Sequence, residues 1–440
     1  MNTFLDGAEV VISTISNTIW PIFLPLMFIA GIYTAINAIF KVQKKCTVKT
    51  KLNAKNIIGP ASISLGNMIG TGAIIGVMGS LSKLATSGQV HVEAMAGWGL
   101  IGACIMIPVT YSEVMCSKIM KKTPEEYIGM LISPVACLIY AFAFVTLYLF
   151  GISGFQFSGI DAVITIITGN YAHVELTQMQ RYLFIIVPIV IFVSLIVLTK
   201  KHHIFINAMT YMIGLAVIMY FAFFITFVVK THAYFPQFMS NLVAGMKNPV
   251  SAMIGIPTGL ILGMQRVLQT AETGIGSQSM AAQEADTAPR EAATIALMPS
   301  IITVMASILV TSYICSYGIN AGIITLPAES LVRLGGYFNT ATAVTGGFGL
   351  FALSLFTLLS ALTTLLGSFY YLTTLFGKNS ENKNITIYIV VVALAGTLAI
   401  FGFNIIFDAV DLLLFVVSAL NISALAIFVT KGYKKHVINE

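Results

Sequence analysis

Long, unbroken apolar runs constrain this chain more than any other feature. They fall near residues 16–40, 56–86, 92–118, 133–168, 180–200, 205–230, 250–278, 291–318, 346–376, 384–405 and 409–430. A bilayer core about 30 Å thick takes about 20 helical residues to cross. Each run is long enough for one crossing, and the longest must tilt, break or include an interfacial turn. A membrane barrel would instead show alternating segments of about ten residues. Only 9% of residues are charged and 57% are hydrophobic, against about 25% charged in soluble domains. A soluble globular fold is excluded. So is nucleic acid as a partner, because 23 Lys and Arg scattered through apolar sequence make no basic groove. The expectation is an all-α polytopic membrane protein with eleven transmembrane helices, surrounded by the lipid bilayer.

Charge sets the expected hand. Lys41, Lys44, Lys45, Lys49, Lys51 and Lys55 follow the first run. Lys118, Lys121 and Lys122 follow the third, and Lys200 and Lys201 the fifth. Arg290, Lys378, Lys383, Lys431, Lys434 and Lys435 fall on the same side if there are eleven spans. That side carries 17 cations; the other carries 5, namely Lys83, Arg181, Lys230, Lys247 and Arg333. The positive-inside rule then places the N-terminus outside and the C-terminus in the cytoplasm of a plasma (inner) membrane protein. With no Lys or Arg before Lys41, no cleaved signal peptide is expected. Cys46, Cys104, Cys116, Cys137 and Cys315 lack paired spacing and read as buried thiols. The six histidines fall at helix ends or in loops, which argues against a histidine proton relay.

Two runs are interrupted. The second carries Gly66-Asn67-Met68-Ile69-Gly70-Thr71-Gly72-Ala73 at its middle, and the seventh carries Thr270-Ala271-Glu272-Thr273-Gly274-Ile275-Gly276-Ser277. Each glycine costs about 1 kcal/mol in a helix interior. Irregular backbone at membrane depth is tolerated where it lines a cavity; close helix packing on small residues is the alternative. Five spans follow the first span, and five more begin at the second interruption, entering from the opposite side. This is the arrangement of a 5+5 inverted-repeat secondary transporter with two broken helices and one peripheral first helix. The expected division is 1–55 (outer N-terminus, peripheral helix, basic loop), 56–230 (first repeat), 231–249 (outer connection), 250–432 (second repeat) and 433–440 (tail).

At these residues the chain resembles the alanine/glycine:cation symporters, also called sodium:alanine symporters. Ile69 to Val77 is similar to the family's V-G-T-G-N-I-A-G-V, and Tyr111-Ser112-Glu113 to its K-Y-A-E. Gln156 stands where the family has a glutamine. Arg266 to Ser277 is similar to R-G-L-F-S-N-E-A-G-M-G-S, and Thr363 to Tyr371 to S-T-I-L-G-W-S-Y-Y. The matches run in order over about 60–380. The departures are Ala73 and Ala271 for two asparagines, Ser368 for a tryptophan, and Leu372-Thr373 for glycine-glutamate. They fall at the pocket and point to a divergent member with a shifted substrate, larger than glycine.

The resemblance implies a leucine-transporter-like fold of the amino acid-polyamine-cation superfamily. Gly70, Thr71 and Gly72 would then receive a substrate carboxylate at a half-helix N-terminus. The alternative for Thr71 is a hydroxyl bonded to its own helix. The carbonyls of Gly66, Ile69 and Ser360 and the hydroxyls of Thr363 and Thr364 would hold Na⁺, or else bond ordinarily between helices. Ala73 lacks the oxygen a second sodium would want, so one sodium per cycle is expected. Gln156, Glu272, Thr273, Gly274, Ser277, Gly367 and Ser368 complete the expected substrate site.

A carboxylate inside a span is costly and functional by default; Glu272 handles ion or substrate, or clamps the break. Arg266 is expected to pair with a carboxylate such as Glu113, or to snorkel. Gln156 bonds substrate or bridges helices. Phe155, Phe157, Phe369, Tyr370 and Tyr371 read as packing. Asp408 and Asp411 read as an exposed cap at the outer end of the last span, and 283–291 as a solvated connection. No metalloprotease, Ser/His or paired-carboxylate motif suggests an enzyme. The expected function is sodium-coupled symport of a small neutral amino acid, alanine-like or somewhat larger, by alternating access. The alternative is a proton-coupled or uncoupled exchanger on the same scaffold. No cofactor beyond the coupling ion is expected.

Overall fold

The computed structural model describes residues 2–46, 50–250, 256–377, 381–400 and 403–433. Lys49, Lys378, Lys434, Lys435 and the side chain of Asp408 lie outside the described residues. Everything described is helix, turn or loop. Helix α1 is Thr18–Val42, α2 Ala54–Met68, α3 Gly72–Thr86 and α4 Ala94–Met120. A short α5, Pro124–Leu131, precedes α6, Pro134–Asn170, then α7, Gln178–Leu198, and α8, His202–Lys230. The amphipathic α9, Phe235–Lys247, leads to α10, Thr258–Ala271, and α11, Ser277–Ala282. The chain finishes with α12, Pro289–Asn320, α13, Ser330–Thr345, α14, Gly347–Phe376, α15, Glu381–Ala399, and α16, Val410–Gly432.

Starts and stops follow local chemistry. Asn53 caps α2 by accepting from the Asn56 N–H at 2.9 Å. Ser133 does the same for α6 through Ala136 at 3.1 Å, with Pro134 in the first turn. These caps answer donors that a helix start leaves open. Pro289 opens α12 as its position in the sequence suggests.

Among the described residues, nine single helices are long and apolar enough to cross a membrane. Taken together, the pair α2/α3, bent by 43°, is also long and apolar enough to cross. The run expected at 250–278 is realised as α10 and α11, each too short to cross alone, with 251–255 outside the described residues. The interior is polar for a core: Glu113, Arg266, Glu272, Thr363 and Thr364 are all buried. The surface is apolar, with Phe142 at 75% and Ile218 at 67% exposure. Lipid rather than water satisfies such a surface. Helices α4 and α14 are the most enclosed, while α7 and α8 turn mostly outward. Helix α1 packs against α16 and α4. Helix α10 runs along α4, α8 along α14, and α14 against α2.

Three sequence readings need correction. Cys116 and Cys315 are buried, but Cys104 is exposed on α4; an apolar run does not tell a lipid-facing thiol from a packed one. Asp411 is no exposed cap, being only 1% exposed. The 283–291 connection is docked rather than solvated. Its Ala285 carbonyl accepts from Lys118 Nζ at 2.7 Å, and the Ala288 N–H donates to Thr50 Oγ1 at 2.8 Å. Glu284 also pairs with His202 at 2.7 Å. Outside the spans, burial pushes the Glu125 carboxyl of α5 up to about 7.

Candidate functional site

The first break is Ile69-Gly70-Thr71, between α2 and α3. Ile69 is extended there, so α3 begins afresh with its own free N–H groups. Gln156 of α6 reaches that start. Its Oε1 accepts from the Thr71 N–H at 2.9 Å and from the Thr71 hydroxyl at 3.0 Å. Gly70 leaves the room, since a Cβ there would meet the Gln156 amide at 2.6 Å. Gln156 therefore bridges the helices and holds, with a neutral amide, the place where an anion is expected.

The second break is 272–276, between α10 and α11. Glu272 (φ 48°), Gly274 (φ 80°) and Gly276 (φ 102°) all adopt left-handed backbone. That region is free for glycine and strained for glutamate. Neighbouring helices pin the break. Tyr140 donates to the Ile275 carbonyl at 2.7 Å, and Asn421 Nδ2 to the Gly274 carbonyl at 2.9 Å. Glu113 Oε1 accepts from the Ser279 N–H at 3.0 Å, and its Oε2 faces Asn421 Nδ2 at 3.4 Å. Glu113 is thus the anchor of α11. The expected Arg266–Glu113 pair does not form, because Glu113 already answers backbone donors.

Arg266 points elsewhere. A cavity of about 70 Å³ lies between the two breaks, α6 and α16. Arg266, Gln269, Glu272, Asp411 and Gln156 form its polar side. Met68, Ile152, Phe155, Val410 and Leu414 form the apolar side, and Gly70 and Gly72 border it. Asp411 accepts from Gln265 Nε2 at 2.9 Å and from Gln269 Nε2, and its field reaches the Arg266 guanidinium. A smaller cleft approaches from the other end of α2, where Pro60 and Ser64 face Gln278 and Pro299.

The expected substrate residues therefore divide. Gly70, Gly72, Gln156 and Glu272 line the cavity, and Thr71 is tied to it through Gln156. Thr273, Gly274, Ser277, Gly367 and Ser368 sit behind its lining. Ser368 donates to the Tyr148 carbonyl at 3.2 Å and to the Thr364 carbonyl at 3.0 Å, so it does not enlarge this cavity. Of the aromatics expected to pack, Phe157 and Tyr371 are fully buried, and Phe155 lines the cavity. Sequence reasoning missed Asp411, Gln269 and Asn421. Their only signal was a polar side chain inside an apolar run.

The expected sodium residues do gather. Thr364 Oγ1 lies 2.9 Å from the Gly66 carbonyl, 3.0 Å from that of Ser360 and 3.4 Å from that of Ile69. The Thr363 hydroxyl turns to the Ser360 carbonyl at 2.8 Å. This cluster of hard oxygens lies where α14 crosses the first break, a composition that suits a hard cation.

The sodium:alanine symporter family profile matches residues 5–437. A search of curated proteins gives no significant match. Among solved structures, a substrate-bound outward-open Na⁺-coupled sialic acid symporter matches with a TM-score of 0.54 at 12% identity. That match covers 88% of this chain and 81% of the symporter. A mutant of the Eremococcus coleocola manganese transporter also matches with a TM-score of 0.54, at 13% identity over 86% of this chain and 81% of its own. At such identity these likenesses show the fold alone.

Proposed function

The chain belongs to the sodium:alanine symporter family, and from that premise we propose that it couples sodium entry to uptake of a small neutral amino acid. It is a multi-pass membrane transporter and not an enzyme. The observation that carries the proposal is the oxygen cluster around Thr364, set against the same helix break that borders the cavity. Sodium held by the carbonyls of Gly66, Ile69 and Ser360 and the hydroxyls of Thr363 and Thr364 would fix the break. A fixed break presents Gly70, Thr71 and Gly72 to a substrate carboxylate. Binding of the ion then raises affinity for the substrate, and by linkage the reverse holds.

The carboxylate enters by displacing the Gln156 amide oxygen from Thr71, leaving Gln156 to bond the ligand. At about 10–15 Å³ per water, the cavity of about 70 Å³ holds about five to seven waters, room for a small amino acid. Glu272 and Asp411 face the amine end. The two clefts at opposite ends of α2 support alternating access. We further propose that α10 and α11 complete an eleventh crossing in two inverted repeats, 56–230 and 250–432, with the C-terminus cytoplasmic in the plasma membrane. A proton-coupled or exchange mechanism is the second reading, favoured by the buried Glu272 carboxylate beside the cavity.

Uptake of labelled amino acids into proteoliposomes tests the proposal. Accumulation of one small neutral amino acid is expected with an inward sodium gradient and not with choline. Equal accumulation in both buffers would refute sodium coupling.

A further inference from the structure

At the edge of the cavity, the second break holds a group of oxygens of which the symport reading uses only Glu272. Glu272 is 2% exposed, and its Oε2 has no hydrogen-bond partner. The hydroxyls of Tyr148, Tyr371 and Ser277 are also buried and without a partner. These groups face one another. Glu272 confronts Tyr148 and Ser277, and Tyr371 confronts Ser277 and Glu272. The Tyr148 and Tyr371 rings meet edge to face at 4.9 Å. The Thr273 hydroxyl, next in the chain, lacks a partner as well. Buried polar groups are nearly always satisfied, so converging oxygens with no hydrogen bond of ordinary geometry mark a missing occupant.

Charge identifies the occupant. The other charged groups near Glu272 are Glu113, of the same sign, and Arg266, whose counter-charge is Asp411. No basic side chain among the described residues neutralises Glu272. An unpaired carboxylate at this depth is expensive. A proton would neutralise it but take away one of the two carboxylate oxygens that the three hydroxyls must share. A water would satisfy hydroxyls but leave the charge. A small monovalent cation does both, and an all-oxygen set suits a hard ion.

We infer that Glu272, Tyr148, Ser277 and Tyr371 form a second sodium site, distinct from the cluster around Thr364. The side-chain oxygen that Ala73 lacks is supplied here from the second break instead, which departs from the single sodium the sequence suggests. Ser368, one turn beyond Thr364, bonds the Tyr148 carbonyl and so joins the two clusters. The inference rests on the sodium-symport reading.

Radiolabelled sodium binding to the purified full-length chain in lipid nanodiscs, without substrate, tests it. Two ions per wild-type chain are expected. Glu272→Gln should bind one, while Thr364→Val should keep one ion unchanged and weaken the other about 10- to 100-fold. Tyr371→Phe, which removes one oxygen from a folded ring, should keep both but weaken one about tenfold, as expected for one lost ligand. Tyr371→Phe and Ser277→Ala serve if Glu272→Gln does not fold by thermal shift. Sodium-dependent uptake with one bound ion in the wild type overturns this site and leaves the symporter standing. An unchanged ion count in folded Glu272→Gln also overturns it; if pH dependence of uptake vanishes in that variant, the site holds a proton. Uptake that ignores sodium overturns the symporter reading and this site together.

Discussion

Replacing Thr364 by valine deletes one oxygen and keeps the shape. In the structure that oxygen stands 2.9 Å from the Gly66 carbonyl and 3.0 Å from that of Ser360. As a sodium ligand, a hydroxyl is worth about 1.5–3 kcal/mol, taking hydrogen bonds to charged groups as the guide. At 1.4 kcal/mol per decade, the sodium concentration for half-maximal uptake should rise about 10- to 100-fold. Substrate affinity at saturating sodium should change little, since Thr364 does not line the cavity. Stability without sodium should fall by about 1 kcal/mol, because the Gly66 carbonyl loses a buried partner. Thr364→Ser should restore both properties. The assay is a sodium titration of uptake in proteoliposomes, with gel filtration to establish that the variant folds. An unchanged sodium dependence in folded Thr364→Val would refute the assignment.

Three further outcomes follow from the same structure. Asp411→Ala strands the buried Arg266 guanidinium and should cost about 3–5 kcal/mol, the usual penalty for breaking a buried pair; thermal unfolding in detergent measures it. Gly276→Ala puts a Cβ into the Tyr140 hydroxyl at a left-handed position, so folded yield should drop sharply while Gly347→Ala, with open space around it, expresses normally. Glu125, raised from 4.5 to about 7, is disfavoured as an anion in the folded state. It adds no penalty below about pH 4, and stability is lost as pH rises through that window, by up to about 3 kcal/mol above pH 7. Glu125→Gln should therefore stabilise the protein at pH 8 and not at pH 4, as read by melting temperature.

The crossings were legible because lipid demands long apolar runs, and the breaks because glycine clusters have few other uses at that depth. Expected at 66–73 and 270–277, the irregular backbone lies at 69–71 and 272–276. The Thr364 cluster was also readable, through the resemblance. Asp411 was not: its place at the outer end of the last span suggested a cap, while in the fold Gln265 and Gln269 of α10 reach it. Glu113 failed for a similar reason. A sequence shows a charge in a span, but not whether another side chain or a bare backbone end will answer it. Gln156 was found, though its bond to Thr71 depends on how α6 meets the first break.

The two breaks are not equivalent sockets. At α3 the backbone donors hold a neutral amide oxygen, which a carboxylate can replace. At α11 they hold Glu113, a carboxylate attached to the chain itself. A tethered group competes at an effective concentration of millimolar or more, so a dilute dissolved anion is at a disadvantage there. If the helix starts receive substrate as proposed, Glu113 closes one of the two places to it. On the proposed reading, a molecule with a single carboxylate would enter in one polarity only, head toward α3. A second carboxylate on the same molecule would find no vacancy, and mirror-image cargo would present its side chain to the wrong wall.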